Sequence, residues 1–368
     1  MDAHSVDMSR SLPIQGAVRG RGAKSNPTGR FEAAVREDFD DGWTEADLSP
    51  PRLDDTLTPL KSRTIITHND SPDLGFDRTI NPYVGCSHGC IYCFARPSHA
   101  YMGLSPGVDF ESKLFFKPDA VQLLQRALSK PGYRPAYIQM GANTDPYQPI
   151  ERKLQSTREI LKVLARFGHP VGITTKNALV ARDLDILGPM AADNLAMVSI
   201  SITTLDRKLA RAMEPRASTP ERRLEALRQL NAAGVPAAVS FAPVIPGLND
   251  HELETVLERA AAAGAPAAFF TVLRLPREIK DLFREWLASE QPDRAAKVMS
   301  LVRQMRGGND YDAQWGKRMR GEGPIADLIR QRFEIACRRL GLNRTRRSLD
   351  LSRFRPPNAP PAQMDLFG

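Results

Sequence analysis

Cysteine is scarce in this chain. Four stand among 368 residues, and three of them, Cys86, Cys90 and Cys93, fall within one short stretch. That crowding excludes a disulfide scaffold, which needs pairs spread along the chain. Long hydrophobic runs are also missing: no stretch approaches the roughly 20 apolar residues of a membrane span. The opening residues, MDAHSVDMSRSLPIQ, have no apolar core of the secretory type, so a cytoplasmic protein is expected. Negative charge is in deficit, with 43 acidic against 51 basic residues and a net charge of +8. Such a balance suits an anionic partner without naming one. Disorder is not the reason for these absences, because 42% hydrophobic residues suffice for a packed core.

Residues 1–60 lack a sustained hydrophobic period and are expected to be irregular. They include GAVRGRGAKSNPTGRFE and the proline-punctuated SPPRLDDTLTP. The Arg-Gly stretch reads either as a solvated arm or as an anion-binding loop. From residue 61 to 276 short apolar runs alternate with helical segments. Strands are expected at TINPYVG and at residues 136–142, 171–176, 197–203, 237–244 and 268–275. Helices are expected near 118–130, 152–167, 181–191, 219–233 and 250–263. In the fourth, Thr219 or Ser218 can cap, Pro220 opens the helix, Leu224, Leu227 and Leu230 share a face, and Gly234 ends it. Strands alternating with helices predict an α/β fold with a parallel sheet, either open or curled into a barrel, and six such units would make a partial (β/α)6 barrel. A complete eight-fold barrel would need two more. Residues 277–345 read as a helical extension, and 346–368 as an Arg- and Pro-rich tail.

The stretch GCSHGCIYCFARP follows the first expected strand with the spacing Cys-x3-Cys-x2-Cys. A cuboidal iron–sulfur cluster normally takes four thiolates. Three on one loop would hold three irons and leave the fourth open to a small molecule. Zinc is the competing metal, with His88 or His99 as the fourth ligand, although no second cysteine pair follows.

In this motif the chain resembles the radical S-adenosylmethionine (radical SAM) superfamily. The resemblance implies a [4Fe–4S] cluster on Cys86, Cys90 and Cys93, with S-adenosylmethionine on the open iron. It further implies reductive cleavage of that cofactor to a 5′-deoxyadenosyl radical, and an electron donor such as flavodoxin or ferredoxin. Tyr92 stands where the family often sets a ring against adenine, or it simply packs the loop. In MGANTDPYQPIE, the residues Asn143, Thr144 and Asp145 occupy the place of the more usual Gly-Gly-Glu that binds the amino group. Lys176, ending ITTK, would meet the carboxylate, or else is a solvated strand end. Ser199 and Ser201 alternate onto one strand face, as expected for contacts to the ribose. Glu214 and Arg216, in MEPRAS, resemble the family's ribose and carboxylate binders, and Val244 with Ile245 resembles its adenine wall.

The flanks NDSPDLGFDRTINPYVG and NTDPYQPIE, with the later WGKRMRGEGP, are similar to a bacterial group related to spore photoproduct lyase. That lyase repairs a thymine dimer of DNA by hydrogen abstraction and return, and its returning cysteine lies some tens of residues past the cluster loop. Here no cysteine stands between Cys93 and Cys337, and Cys337 reads as a small packed hydrophobe. Tyr147 and Tyr101 are the alternative hydrogen donors. The resemblance implies an enzyme acting on DNA. An enzyme modifying RNA or a protein side chain, and a non-catalytic iron–sulfur protein bound to DNA or to the replication sliding clamp, are the alternatives.

Two features near the C-terminus point toward nucleic acid. Arg344, Arg346, Arg347, Arg353 and Arg355 are expected either to contact phosphates or to form a solvated basic surface. QMDLF resembles the peptide by which bacterial repair proteins bind the replication sliding clamp, with Gln363 as anchor and Leu366 and Phe367 in an apolar pocket. The alternative is a tail that packs Phe367 on the protein.

Overall fold

The computed structural model describes residues 20–32, 54–345 and 347–356. Ten strands are present among them: β1 (Thr56–Pro59), β2 (Ile66–His68), β3 (Arg78–Ile80), β4 (Tyr83–Val84), β5 (Lys113–Phe116), β6 (Ile138–Met140), β7 (Val171–Thr175), β8 (Ala196–Ser201), β9 (Ala237–Val244) and β10 (Ala268–Val272). The main sheet has seven strands in the order β10-β9-β8-β7-β6-β3-β2. Its first six are parallel and β2 joins antiparallel, so the expected six-unit partial barrel is present. The sheet stays open, because β2 and β10 are its two outer strands.

The stretch TINPYVG divides between two sheets. Pro82 has no N–H to continue a ladder, so β3 stops at Ile80. Beyond it β4 pairs with β5 in a small sheet completed by β1. Strand β1 lies inside the region expected to be irregular, and its parallel ladder to β5 fixes it. The Arg-Gly stretch is no solvated arm either, since Arg21, Gly22, Ala23 and Ser25 are all buried.

The helices lie close to their expected ranges. Helix Pro220–Ala232 has the Thr219 side chain as its cap and buries Leu224, Leu227 and Leu230. Together with its neighbours it covers the outer face of the sheet, where Ile173, Val198, Ile200, Val239 and Phe241 form the main core. A second core ties the cysteine loop to the extension. Ile91 and Met213 pack with Phe283, Trp286 and Val298 of helices Ile279–Glu290 and Pro292–Gln304, and Trp286 Nε1 donates to the Ala212 carbonyl at 3.1 Å. Helix Gly323–Leu340 lies on helix Leu253–Ala262, joined by Arg332 and Glu254 at 2.6 Å. Cys337 on that helix is buried in the main core. No helix among the described residues is long and apolar enough to cross a membrane.

The segment 347–356 returns to the N-terminal ends of the strands. Asp350 N donates to the Asn194 carbonyl, just before β8, and Arg355 N to the Phe167 carbonyl, shortly before β7. The Phe354 ring sits 5.3 Å from Tyr133 and 5.6 Å from His169.

Candidate active site

The C-terminal ends of parallel strands, where α/β folds bind their ligands, carry the cysteine loop here. Its shape is set by Arg96. The guanidinium donates to the carbonyls of Cys90 (2.9 Å), Gly89 (3.1 Å), Pro106 (3.1 Å) and Gly107 (2.9 Å), and pairs with Glu111. Glu111 in turn accepts from the backbone N–H groups of Gly22 and Ala23 at 2.9 and 2.8 Å. The N-terminal segment is thereby strapped over the loop. Arg21 continues the strap by donating to the Glu111 carbonyl at 2.7 Å. On the other side Gln148 receives the Ser87 N–H at 2.9 Å and donates to the Gly85 carbonyl at 3.2 Å.

Cys86 and Cys90 are buried and Cys93 is half-buried. Burial pushes the Cys93 thiol up to about 11, and the neighbouring Cys86 adds to the rise. The Cys90 thiol is also raised, by burial and then by the charge of Glu214. Three soft donors in one loop, two of them with raised thiols, form a set that metal cations would stabilise as thiolates. The set fits a cuboidal cluster with one iron left open. Of the two candidate fourth ligands for zinc, His88 is engaged at both ring nitrogens, by Asp145 at 3.3 Å and Asn177 at 3.1 Å. His99 has Nε2 on the Lys113 carbonyl at 2.9 Å, and its buried Nδ1 has no hydrogen-bond partner among the described residues. No group of three or more His, Cys, Asp or Glu among the described residues closes around a single ion.

Beside the loop, Glu214 is buried in a polar cluster. It accepts from the Tyr92 hydroxyl, from Thr203 Oγ1 at 2.6 Å and from the Arg223 guanidinium. Lys176 Nζ stands 3.8 Å away and lies over the Tyr92 ring at 5.7 Å. Burial pushes the Glu214 carboxyl up, but Arg223 and then Lys176 outweigh it and hold it at about 2. Lys176 is thus no solvated strand end, with its side chain only 16% exposed. Ser199 and Ser201 share the face opposite the core residues Val198 and Ile200.

The loop after β6 separates its three expected residues. Asp145 is a fastener, accepting from Thr175 Oγ1 (2.7 Å), Lys176 N (2.7 Å) and Tyr147 N (2.9 Å) besides facing His88. Thr144 is buried, with its hydroxyl on the Tyr83 carbonyl at 3.1 Å. Asn143 is half-buried, and its backbone N–H donates to Asn81 Oδ1 at 3.2 Å.

Two expected contacts are sited differently. Arg216 turns to Asp55 at 2.6 Å, and Arg223 takes the place beside Glu214. Val244 is fully buried with Val239 and Phe241 in the helix-facing core, because the β9–β10 register shifts between Phe241 and Val244. Ile245 is buried in the second core. Of the two tyrosines, Tyr147 is buried with its hydroxyl donating to Asp183 at 3.1 Å, and Tyr101 is exposed against Phe31. Arg344, Arg347, Arg353 and Arg355 belong to the segment that leads to the opposite end of the sheet. There Arg353 pairs with Asp193 at 3.1 Å. Arg346, Gln363, Leu366 and Phe367 lie outside the described residues.

Sequence reasoning missed Arg96, Gln148, Thr203 and Arg223. Each acts through partners that chain folding, and not a regular spacing, brings to it. The available signal was chemical: a residue as polar as arginine within a loop or first helical turn that must be buried.

The Radical SAM superfamily model matches residues 80–260. The chain is 36% identical over 232 residues to an uncharacterized protein of Mycobacterium tuberculosis, covering 62% of this chain and 68% of that one. It is 22% identical over 189 residues to the radical SAM Nα-GlyT isomerase of Pseudomonas phage M6, covering 50% of this chain and 36% of the isomerase. Among solved structures, spore photoproduct lyase complexed with dinucleoside spore photoproduct aligns with a TM-score of 0.56 over 78% of this chain and 80% of the lyase. At 16% identity that likeness is one of fold. The family match runs from the strand before the first cysteine to the helix before the last barrel strand, and the chain belongs to the radical SAM superfamily, whose members are enzymes using a [4Fe–4S] cluster and S-adenosylmethionine.

Proposed function

We propose that this radical SAM enzyme acts on DNA, in the repair or processing of a lesion. The observation that carries the reading is the shared fold with a lyase complexed with a dinucleoside photoproduct, over 78% of this chain. The basic balance of the chain supports it.

In this reading Cys86, Cys90 and Cys93 would hold the cluster, which would supply one-electron reduction to a bound S-adenosylmethionine. The chain's own residues bind and orient. Lys176 meets the carboxylate of S-adenosylmethionine, Asn143 its amino group, and Ser199, Ser201 and Glu214 its ribose side. Arg223 and Lys176 keep Glu214 charged, and the Tyr92 hydroxyl helps to fix it. The second core beneath the loop excludes water from the thiols. Hydrogen return by a thiol is not part of this reading, since Cys337 is buried in the helix-facing core.

The cytoplasm, with a flavodoxin or ferredoxin as reductant, suits a chain of free thiols. Gln363, Leu366 and Phe367 would attach the enzyme to the sliding clamp, and the arginines from Arg344 to Arg355 would add phosphate contacts.

The test is anaerobic reconstitution followed by incubation with ultraviolet-irradiated DNA. Release of 5′-deoxyadenosine that depends on the irradiated DNA is the expected result. Release stimulated by RNA or protein and not by DNA would overturn the reading.

A further inference from the structure

A cavity of about 300 Å³ opens beside the candidate active site, with Arg152, Arg216 and Arg222 in its wall together with Asn177, Ser218 and Thr219. No Asp or Glu lines it. The smaller polar groups are already engaged. Ser218 Oγ donates to Asn177 Oδ1 at 3.1 Å and accepts from Ala178 N at 3.0 Å, while Thr219 caps helix Pro220–Ala232. Arg216 has Asp55. Arg152 and Arg222 are exposed at the rim, with no ion pair among the described residues. Two guanidiniums without a carboxylate partner among the described residues, beside a third that Asp55 holds, leave positive charge at the cavity that an anion would offset. The N-terminus of a 13-residue helix adds positive potential at the same place.

The cavity is wired to the cysteine loop. Asn177 reaches His88 at 3.1 Å, Arg216 N donates to the His88 carbonyl at 3.3 Å, and Ser218 N donates to the Lys176 carbonyl at 3.3 Å. The arginines singled out near the C-terminus lead instead to the far end of the strands. This cavity therefore lies at the pole of the sheet that carries the cysteine loop, and that segment lies at the other.

We infer that this cavity is a backbone-phosphate subsite, in which Arg152 and Arg222, with Arg216, grip one phosphodiester of the nucleic-acid substrate. The inference rests on the nucleic-acid reading above. Guanidiniums suit the task because their planar fork matches phosphate oxygens in pairs.

The test uses the full-length reconstituted protein and a fluorescent single-stranded oligothymidylate, followed by anisotropy over a series of salt concentrations. R152A/R222A is expected to bind about tenfold or more weakly at low salt. Its log K against log salt slope should fall by about 0.7, the value for one phosphate of a single strand. Iron content and S-adenosylmethionine affinity should stay unchanged, and R152K/R222K should recover part of the binding. An unchanged slope and affinity in R152A/R222A would overturn the subsite while leaving the DNA reading standing. So would an equal loss of S-adenosylmethionine affinity, which would assign the cavity to that cofactor's carboxylate. A loss confined to R344A/R347A would move the phosphate contacts to the opposite end. If the wild-type protein shows no salt-dependent binding, the nucleic-acid reading itself fails.

Discussion

Arg96 and Glu111 meet at 2.5 Å with neither side chain exposed to solvent. Every N–H of the guanidinium has a partner, four of them carbonyls in or beside the cysteine loop. The pair therefore acts as the frame on which the three thiols are hung. Removing one member would leave a buried charge with no compensation.

Glu111→Gln and Arg96→Met should each destabilise the metal-free protein by about 3–5 kcal/mol. Iron bound per chain after reconstitution should fall with it. Urea unfolding and iron analysis check this, and wild-type values for both would refute the framing role.

Cys90→Ala should lose the visible absorbance of the reconstituted cluster. Cys337→Ala should keep it, at about 1 kcal/mol in stability for a trimmed core side chain. If both variants behave alike, the ligand assignment is wrong.

A Cβ on Gly22 would overlap the Gly89 carbonyl, whereas Gly20 has open space around it. Gly22→Ala should cost about 1–3 kcal/mol by overpacking and speed the loss of iron from the reconstituted protein. Gly20→Ala, at φ +76°, carries only local backbone strain of about 1–3 kcal/mol, and its iron retention should match wild type. Thermal melts and timed iron retention separate the two.

Glu214 supplies the pH test. Its carboxyl is held at about 2 against an ordinary 4.5, with Arg223 and Lys176 outweighing its burial. A depressed carboxyl contributes stability that is complete above pH 4.5 and is lost as pH falls through about 2. Glu214→Gln should flatten the denaturation midpoint across that window. A variant that follows the wild-type acid profile would show that Arg223 and Lys176 do not hold the carboxylate.

Deleting residues 363–368 should leave cleavage of S-adenosylmethionine intact and abolish capture by the sliding clamp. A negative pull-down with the full chain would end the clamp proposal.

What could be read in the sequence was local. The thiol spacing, the six β/α units and the capped helix at Pro220 each depend on residues a few positions apart, and they are present, with TINPYVG split between two sheets. Glu214 and Lys176 were legible because strand ends gather at one pole of such folds. Arg223 was not, since its partner is set by how helix Pro220–Ala232 docks and not by its spacing. Val244 illustrates the same limit: one register shift in β9 carries it from the lumen to the outer face. The arginine-rich segment looked suited to a substrate role, but sequence distance from the cysteine loop does not say which pole of the sheet it reaches.

The unclosed sheet, with β2 and β10 as its two borders, is bridged by the segment that carries Arg318. The Met319 carbonyl accepts from Val272 N at the end of β10, while Gly316 N and the Arg318 guanidinium donate to Asp73 in the loop after β2. The two borders are therefore joined by a clasp of side chains and single backbone bonds, which a substitution at Asp73 or Arg318 would loosen without unpairing a strand.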